Sequence, residues 1–197
     1  MSPRSIVRAL RLGVPALLLA VVAPPLAAQE ATLPVDLQMV VFSQVMRFDR
    51  NFADREDEVV LAVLYQSRSR ESLEVRNRVF EAFRGKDSFA GRPLRVIGID
   101  VGDGDTKSRI QRILPAGVDV LYMAPVRSFD VGSVVEAASE LGIPTLTGTP
   151  DYVDQGLAIG VRREQGRARI LVNLESAVAM GSDLSSELLK LARIVRS

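Results

Sequence analysis

Four compact apolar runs recur along the chain, and each gives way to a stretch of helical periodicity. They are Glu58–Tyr65 (EVVLAVLY), Pro93–Val101 (PLRVIGIDV), Val118–Ala124 (VDVLYMA) and Ile143–Thr147 (IPTLT). Short, nearly continuous apolar runs suit strands of a parallel sheet, which are covered on both faces. Ser69 stands as an N-cap before Leu73, Val75, Val79, Phe80 and Phe83, and Gly85 ends that helix. Asp105 or Thr106 caps a short helix through Ile110, Ile113 and Leu114. Asp130 opens a third through Val134, Val135, Ala138 and Leu141, with its stop at Gly142. Such alternation predicts an α/β fold: a single-domain, three-layer, Rossmann-like sandwich with a mostly parallel sheet. Before the first strand, Val35–Phe52 reads as one amphipathic helix. Leu37, Val40, Val41, Gln44, Val45 and Phe48 lie mostly on one of its faces, and Arg47, Arg50 and Arg55 sit at its end, where cations suit the helix dipole.

The C-terminal run from Gly156 to Val195 breaks the alternation. Leu157–Val161 and Arg169–Val172 flank the polar spacer Glu164-Gln165-Gly166, which reads as a β-hairpin forming an antiparallel sheet edge. Asn173 then caps a helix carrying Leu174, Ala177 and Val178, and Gly181 ends it. Ser185 or Ser186 caps a second C-terminal helix, with Leu184, Leu188, Leu189, Leu191, Ala192 and Val195 as its apolar face.

This run resembles the C-terminal signature of the YfiR family of small secreted bacterial proteins. The matching residues are Gly166, Arg167, Ile170, Val172, Asn173, Leu174, Ala177, Leu184, Ser185, Ser186, Leu188, Leu189, Leu191, Ala192 and Val195, with looser agreement at Leu146, Thr147 and Gly148. The resemblance implies a periplasmic signalling regulator. It would bind and repress the sensor domain of an inner-membrane protein, most often a diguanylate cyclase, and so lower cyclic-di-GMP and limit biofilm behaviour. It also implies a homodimer and release by sequestration, for example by an outer-membrane lipoprotein. Histidine kinases and receptors also occur as partners in the family. A second likeness points to another class. Thr145–Val161 (TLTGTPDYVDQGLAIGV) is similar to part of the periplasmic substrate-binding proteins of ABC transporters. The alternative reading is therefore a one-lobe sensor of a small molecule.

Composition narrows the chemistry. The 197 residues include no Cys and no His. Thiol nucleophiles, Ser-His triads and the usual transition-metal sites are thereby excluded. The resembled family often carries cysteines; this chain departs from that and cannot use disulfides for control. No spacing of carboxylates or Ser-Lys argues for an enzyme, and no motif calls for a cofactor. Residues 1–28 read as a secretory signal peptide. Arg4, Arg8 and Arg11 precede the short apolar stretch Leu12–Val22, and Leu26-Ala27-Ala28 fits a cleavage site. The apolar stretch is too short to span a bilayer. The expected product is a periplasmic domain over 29–197, without membrane insertion after cleavage. Removing three Arg from 25 basic residues leaves 22 against 24 acids, a net charge of −2. No basic field remains for nucleic acid.

In an open α/β sheet, ligands gather beyond the carboxyl ends of the strands. The loops there offer Ser67, Arg68, Ser69, Thr147 and Thr149 as ligand-facing candidates, although Ser and Thr also serve such loops as caps. Asp100, Asp103 and Asp105 are better explained by a turn and a cap than by a metal site. Gly98, Gly102 and Gly104 have the wrong spacing for a dinucleotide fingerprint. Asn173 is expected to be structural, and the loop 151–155 to be mobile. A partner face is expected on the exposed sides of the first helix (Gln44, Arg47, Arg50) and the last (Lys190, Arg193).

Overall fold

The computed structural model describes residues 32–54, 56–86, 88–102, 110, 114 and 117–196. The expected leader, and the cap at Asp105 or Thr106, lie outside the described residues. In chain order the elements are α1 (Val35–Met46), α2 (Arg50–Ala53), β1 (Val59–Tyr65), α3 (Arg70–Ala82), β2 (Ser88–Phe89), β3 (Arg92–Asp100), β4 (Val120–Met123), α4 (Val131–Leu141), β5 (Thr145–Thr147), α5 (Asp151–Asp154), β6 (Ile159–Glu164), β7 (Arg167–Asn173), α6 (Leu174–Ala179), α7 (Ser186–Leu191) and β8 (Arg193–Val195).

The strands form one sheet in the order β2-β3-β1-β4-β5-β6-β7-β8. Its centre, β3-β1-β4-β5-β6, is parallel throughout. The four apolar runs supply β1, β3, β4 and β5, as their sequence pattern predicts. β1 is central, and Val59–Leu64 are buried on both faces. One face carries Phe42 and Met46 of α1, Val79 of α3, Ala177 of α6 and Leu188 of α7. The other carries Val131, Val134 and Ala137 of α4 together with Ile110, Leu114 and Leu157. A single fully buried leucine such as Leu61 stabilises by about 1.5–3 kcal/mol relative to exposure.

Local signals placed most of the ends. Ser69 accepts from Ser72 N–H at 3.4 Å, and Asp130 accepts from Gly132 and Ser133 N–H at 3.0 and 3.2 Å. Gly142 leaves α4 in the left-handed region, at φ 65°. Gln165 and Gly166 close the β6–β7 hairpin with φ of 49° and 79°, the pairing a tight two-residue turn needs.

Three expectations are corrected. First, the initial helix stops at Met46, and Arg50–Ala53 forms a separate turn capped by Asp49. Its buried face is Val35, Gln38, Met39, Phe42, Val45 and Met46, whereas Leu37 and Val40 face outward. Second, the hairpin is not the sheet edge. α7 ends at Leu191, and Arg193–Val195 leave it as β8, pairing in parallel with Leu171–Asn173. Leu191 is therefore exposed at 65%, and Val195 belongs to a strand. Third, residues 151–154 are helical rather than a loop, with Tyr152 and Val153 buried.

The tip of α1 is clamped to the C-terminal segment. Asp49 pairs with Leu184 in an isolated β-bridge, and its carboxylate accepts from Phe52 and Asp183 N–H at 3.3 and 3.1 Å. Ser185 N–H donates to Phe48 C=O at 2.8 Å, and Arg50 pairs with Asp183 at 3.1 Å.

Candidate functional site

The first place to look is the crevice between β1 and β4, where the strand order reverses. Its own side chains close it. Gln66 spans the gap, donating to Gly102 C=O at 3.2 Å and accepting from Arg127 N–H at 3.0 Å. From α5, the Tyr152 hydroxyl donates to Val126 C=O at 3.2 Å and accepts from Val126 N–H at 2.9 Å. Burial raises the Tyr152 phenol above its ordinary pKa, opposed in part by the Val126 backbone bond and helped by the negative charges of Glu71 and Asp151.

The open space lies one strand further on, beyond the carboxyl ends of β4 and β5. Two adjoining hollows of about 200 and 180 Å³ share Thr32, Glu71, Pro125 and Gly148. The larger runs between the start of α1 and the first turns of α3, over Tyr122. The smaller continues past Thr149 and Pro150 to Arg162 and Arg163 on β6.

Its floor is built by three residues. Tyr122 is fully buried on β4, and its hydroxyl donates to Gln38 Oε1 at 2.8 Å. Gln38 is buried on α1 and donates from Nε2 to Leu33 C=O at 2.6 Å. Gly148 lies against the Gln38 amide, so close that a Cβ there would collide with it. Burial pushes the Tyr122 phenol well above its usual pKa of 10, opposed in part by a bond from the Gly148 backbone. The hydroxyl is thus a fixed neutral donor. Phe42 meets the Tyr122 ring edge-on, with centroids 6.1 Å apart. The rim carries both signs of charge, with Glu71, Glu74 and Arg78 on α3 facing Arg162 and Arg163 on β6. Such a hollow can hold a small polar molecule by hydrogen bonds and paired charges. Among the described residues, no group of three or more acids gathers as a metal site.

The loop candidates divide. Thr149 lines the smaller hollow. Thr147 is buried and donates its hydroxyl to Met123 C=O at 3.1 Å, while Ser69 is spent on its helix cap. Ser67 and Arg68 are exposed; Ser67 N–H donates to Asp100 at 3.1 Å. Asn173 caps α6 by accepting from Ser176 N–H at 3.1 Å and ties α5 down by donating to Val153 C=O at 3.3 Å. In the signature set, Ala177, Leu184 and Leu188 are buried, Ser185 caps α7, and Gly166 makes the hairpin turn. Leu189 and Ala192 are half-buried, whereas Arg167 and Leu174 are exposed. Gln44, Arg47, Arg50, Lys190 and Arg193 are all exposed, and the Asp49–Leu184 bridge brings their two segments together. The sequence reading passed over Gln38 and Tyr122. A glutamine within an apolar helical stripe was the available signal.

The fold is similar to that of several solved bacterial structures. An ABC domain in complex with L-Trp from Streptococcus pneumonia shares 14% identity, with a TM-score of 0.57 over 82% of this chain and 62% of that one. A conserved domain protein from Vibrio cholerae O1 biovar El Tor shares 11%, with a TM-score of 0.55 over 83% and 60%. A ligand-free, open substrate-binding protein with adhesive properties from Clostridium difficile shares 16%, with a TM-score of 0.55 over 84% and 60%. The chain spans about three fifths of the length of each. These likenesses define the class by fold alone: a mixed α/β domain with a mostly parallel sheet. No curated protein matches by sequence. The chain belongs to the YfiR/HmsC-like family, whose sequence profile matches residues 37–193. That family is one of periplasmic regulators. No helix of the described residues is long and apolar enough to cross a membrane.

Proposed function

We propose that this protein represses a membrane-bound diguanylate cyclase from the periplasm, as a dimer that binds the cyclase's sensor domain and keeps cyclic-di-GMP low. Family membership over residues 37–193 is the observation that carries this reading. The absence of His and Cys from the whole sequence agrees with action by binding rather than catalysis. Repression is then a shift of populations. The repressor must bind the inactive sensor state more tightly than the active one, by about 5.5 kcal/mol to move the balance from 99:1 to 1:99. An outer-membrane lipoprotein that sequesters the repressor would release the cyclase. The proposed contact face joins Gln44, Arg47 and Arg50 to Lys190 and Arg193, which the clamp at Asp49 holds in fixed relation. The test is direct titration of the purified, secreted chain against each periplasmic sensor domain of the host's membrane cyclases. One domain should bind, and Arg47→Glu with Arg193→Glu should weaken it. Binding to none of them rejects the reading.

The cleft over Tyr122 favours a second reading, in which a small polar ligand sets the affinity for the partner. A bound ligand would raise the melting temperature by linkage, by an amount that grows with ligand concentration.

A further inference from the structure

We infer that β8 is a docking edge for an extended, acidic strand of a partner protein. β8 ends the sheet, and no strand lies beyond it among the described residues. It is bonded on one side to β7, so its other side presents backbone donors and acceptors. Leu191 and Ile194 leave apolar surface beside it, 65% and 42% exposed. The edge is also basic. From Leu184 to Arg196 there are three cations, Lys190, Arg193 and Arg196, and one acid, Glu187, a net charge of +2. Among the described residues none of the three cations is held in an ion pair. Side chains alternate along a strand, so extending β8 by the one residue Arg196 would place Arg193 and Arg196 on opposite faces of the added sheet.

Charge chooses the occupant. A bare edge invites any strand, and edge cations reject like-charged ones. Antiparallel pairing with β8 of a second copy would bring two segments of net charge +2 together, and a register that sets Arg193 opposite Arg193 places like charges across the ladder, which destabilises it. An acidic strand meets a cation on each face and completes the backbone ladder, the recognition mode in which main-chain bonds give affinity and alternate side chains give specificity. The inference does not depend on which membrane protein is repressed.

The probe is a capped seven-residue peptide alternating Glu and Val, with a Lys-for-Glu version as its control, titrated into the isotope-labelled full chain and followed by backbone amide NMR. The acidic peptide should move the amides of Arg193–Val195 and weaken as salt rises. N-methylating alternate residues should abolish binding in one register and spare it in the other. Arg193→Glu with Arg196→Glu should cost about tenfold in affinity for the acidic peptide and gain the lysine peptide, with the circular dichroism unchanged. Equal binding of both peptides, tolerance of both N-methyl registers, shifts away from β8, or no binding at millimolar peptide would each overturn the inference. So would a dimer that dissociates when the two arginines are reversed.

Discussion

Replacing Gly148 by Ala tests how the cleft floor is built. Gly148 does not require a left-handed backbone, so the demand on this position is for space alone. The new methyl group would displace the Gln38 amide. That movement breaks the bond from Tyr122 at 2.8 Å and the bond to Leu33 at 2.6 Å. Each buried bond contributes about 1 kcal/mol net, and stranding the buried Tyr122 hydroxyl costs a further 1–3 kcal/mol or so. Gln38 is flexible and recovers part of this, so Gly148→Ala should destabilise by roughly 2–4 kcal/mol. In a domain of this size that lowers Tm by roughly 5–15 °C. The assay is thermal unfolding of the four members of a double-mutant cycle with Gln38→Ala. Gln38→Ala empties the space that the methyl group needs. In that background Gly148→Ala should therefore cost under about 0.5 kcal/mol. Equal cost in both backgrounds would refute the reasoning, because the collision would then not be with Gln38.

Three further outcomes follow from the same contacts. Asn173→Ala removes the α6 cap and the tie to Val153, and should cost about 1–3 kcal/mol by chemical denaturation, with Asn173→Asp keeping the cap but losing the tie. Arg92, buried beneath the Phe52 ring, bonds twice to Asp57 C=O at 3.0 and 2.7 Å and once to Phe52 C=O at 3.2 Å; Arg92→Lys cannot reproduce that fork and should lower the denaturant midpoint nearly as far as Arg92→Leu does. Bonds from Arg169 and then Arg162 hold the Glu164 carboxyl below its ordinary pKa of 4.5, so its contribution to stability is present above that value and is lost as pH falls through the lowered one; Glu164→Gln should lower Tm near neutrality and flatten the acid limb of a Tm–pH curve, the two curves meeting at low pH.

Much of the fold was legible because its signals are local. A capping side chain reaches only three residues ahead, so Ser69, Asp130, Asn173 and Ser185 announce their helices in any context. The β6–β7 hairpin needed only Gln165-Gly166 and alternation on either side. What escaped was decided by long-range contact. Ala192 and Val195 continue the helical spacing of α7, yet pairing with β7 draws Arg193–Val195 into a strand. The break after Met46 depends on a bridge across more than a hundred residues to Leu184. The buried stripe of α1 includes Gln38, which hydropathy counts as surface, and its burial makes sense only with Tyr122 and Leu33 in place. Of the loop residues named as ligand-facing, Thr149 lines an open hollow, whereas Thr147 is buried. The sequence could not reveal that Gln66 and Tyr152 close the switch-point crevice and move the open space to β4 and β5.

The central claim, periplasmic repression of a cyclase, is tested most directly by cellular cyclic-di-GMP in a strain lacking the gene. The deletion should raise it, and the chain restored to the periplasm should return it to the parental level, whereas the same chain kept in the cytoplasm should not. Unchanged cyclic-di-GMP on deletion, or rescue from the cytoplasm, would contradict the account.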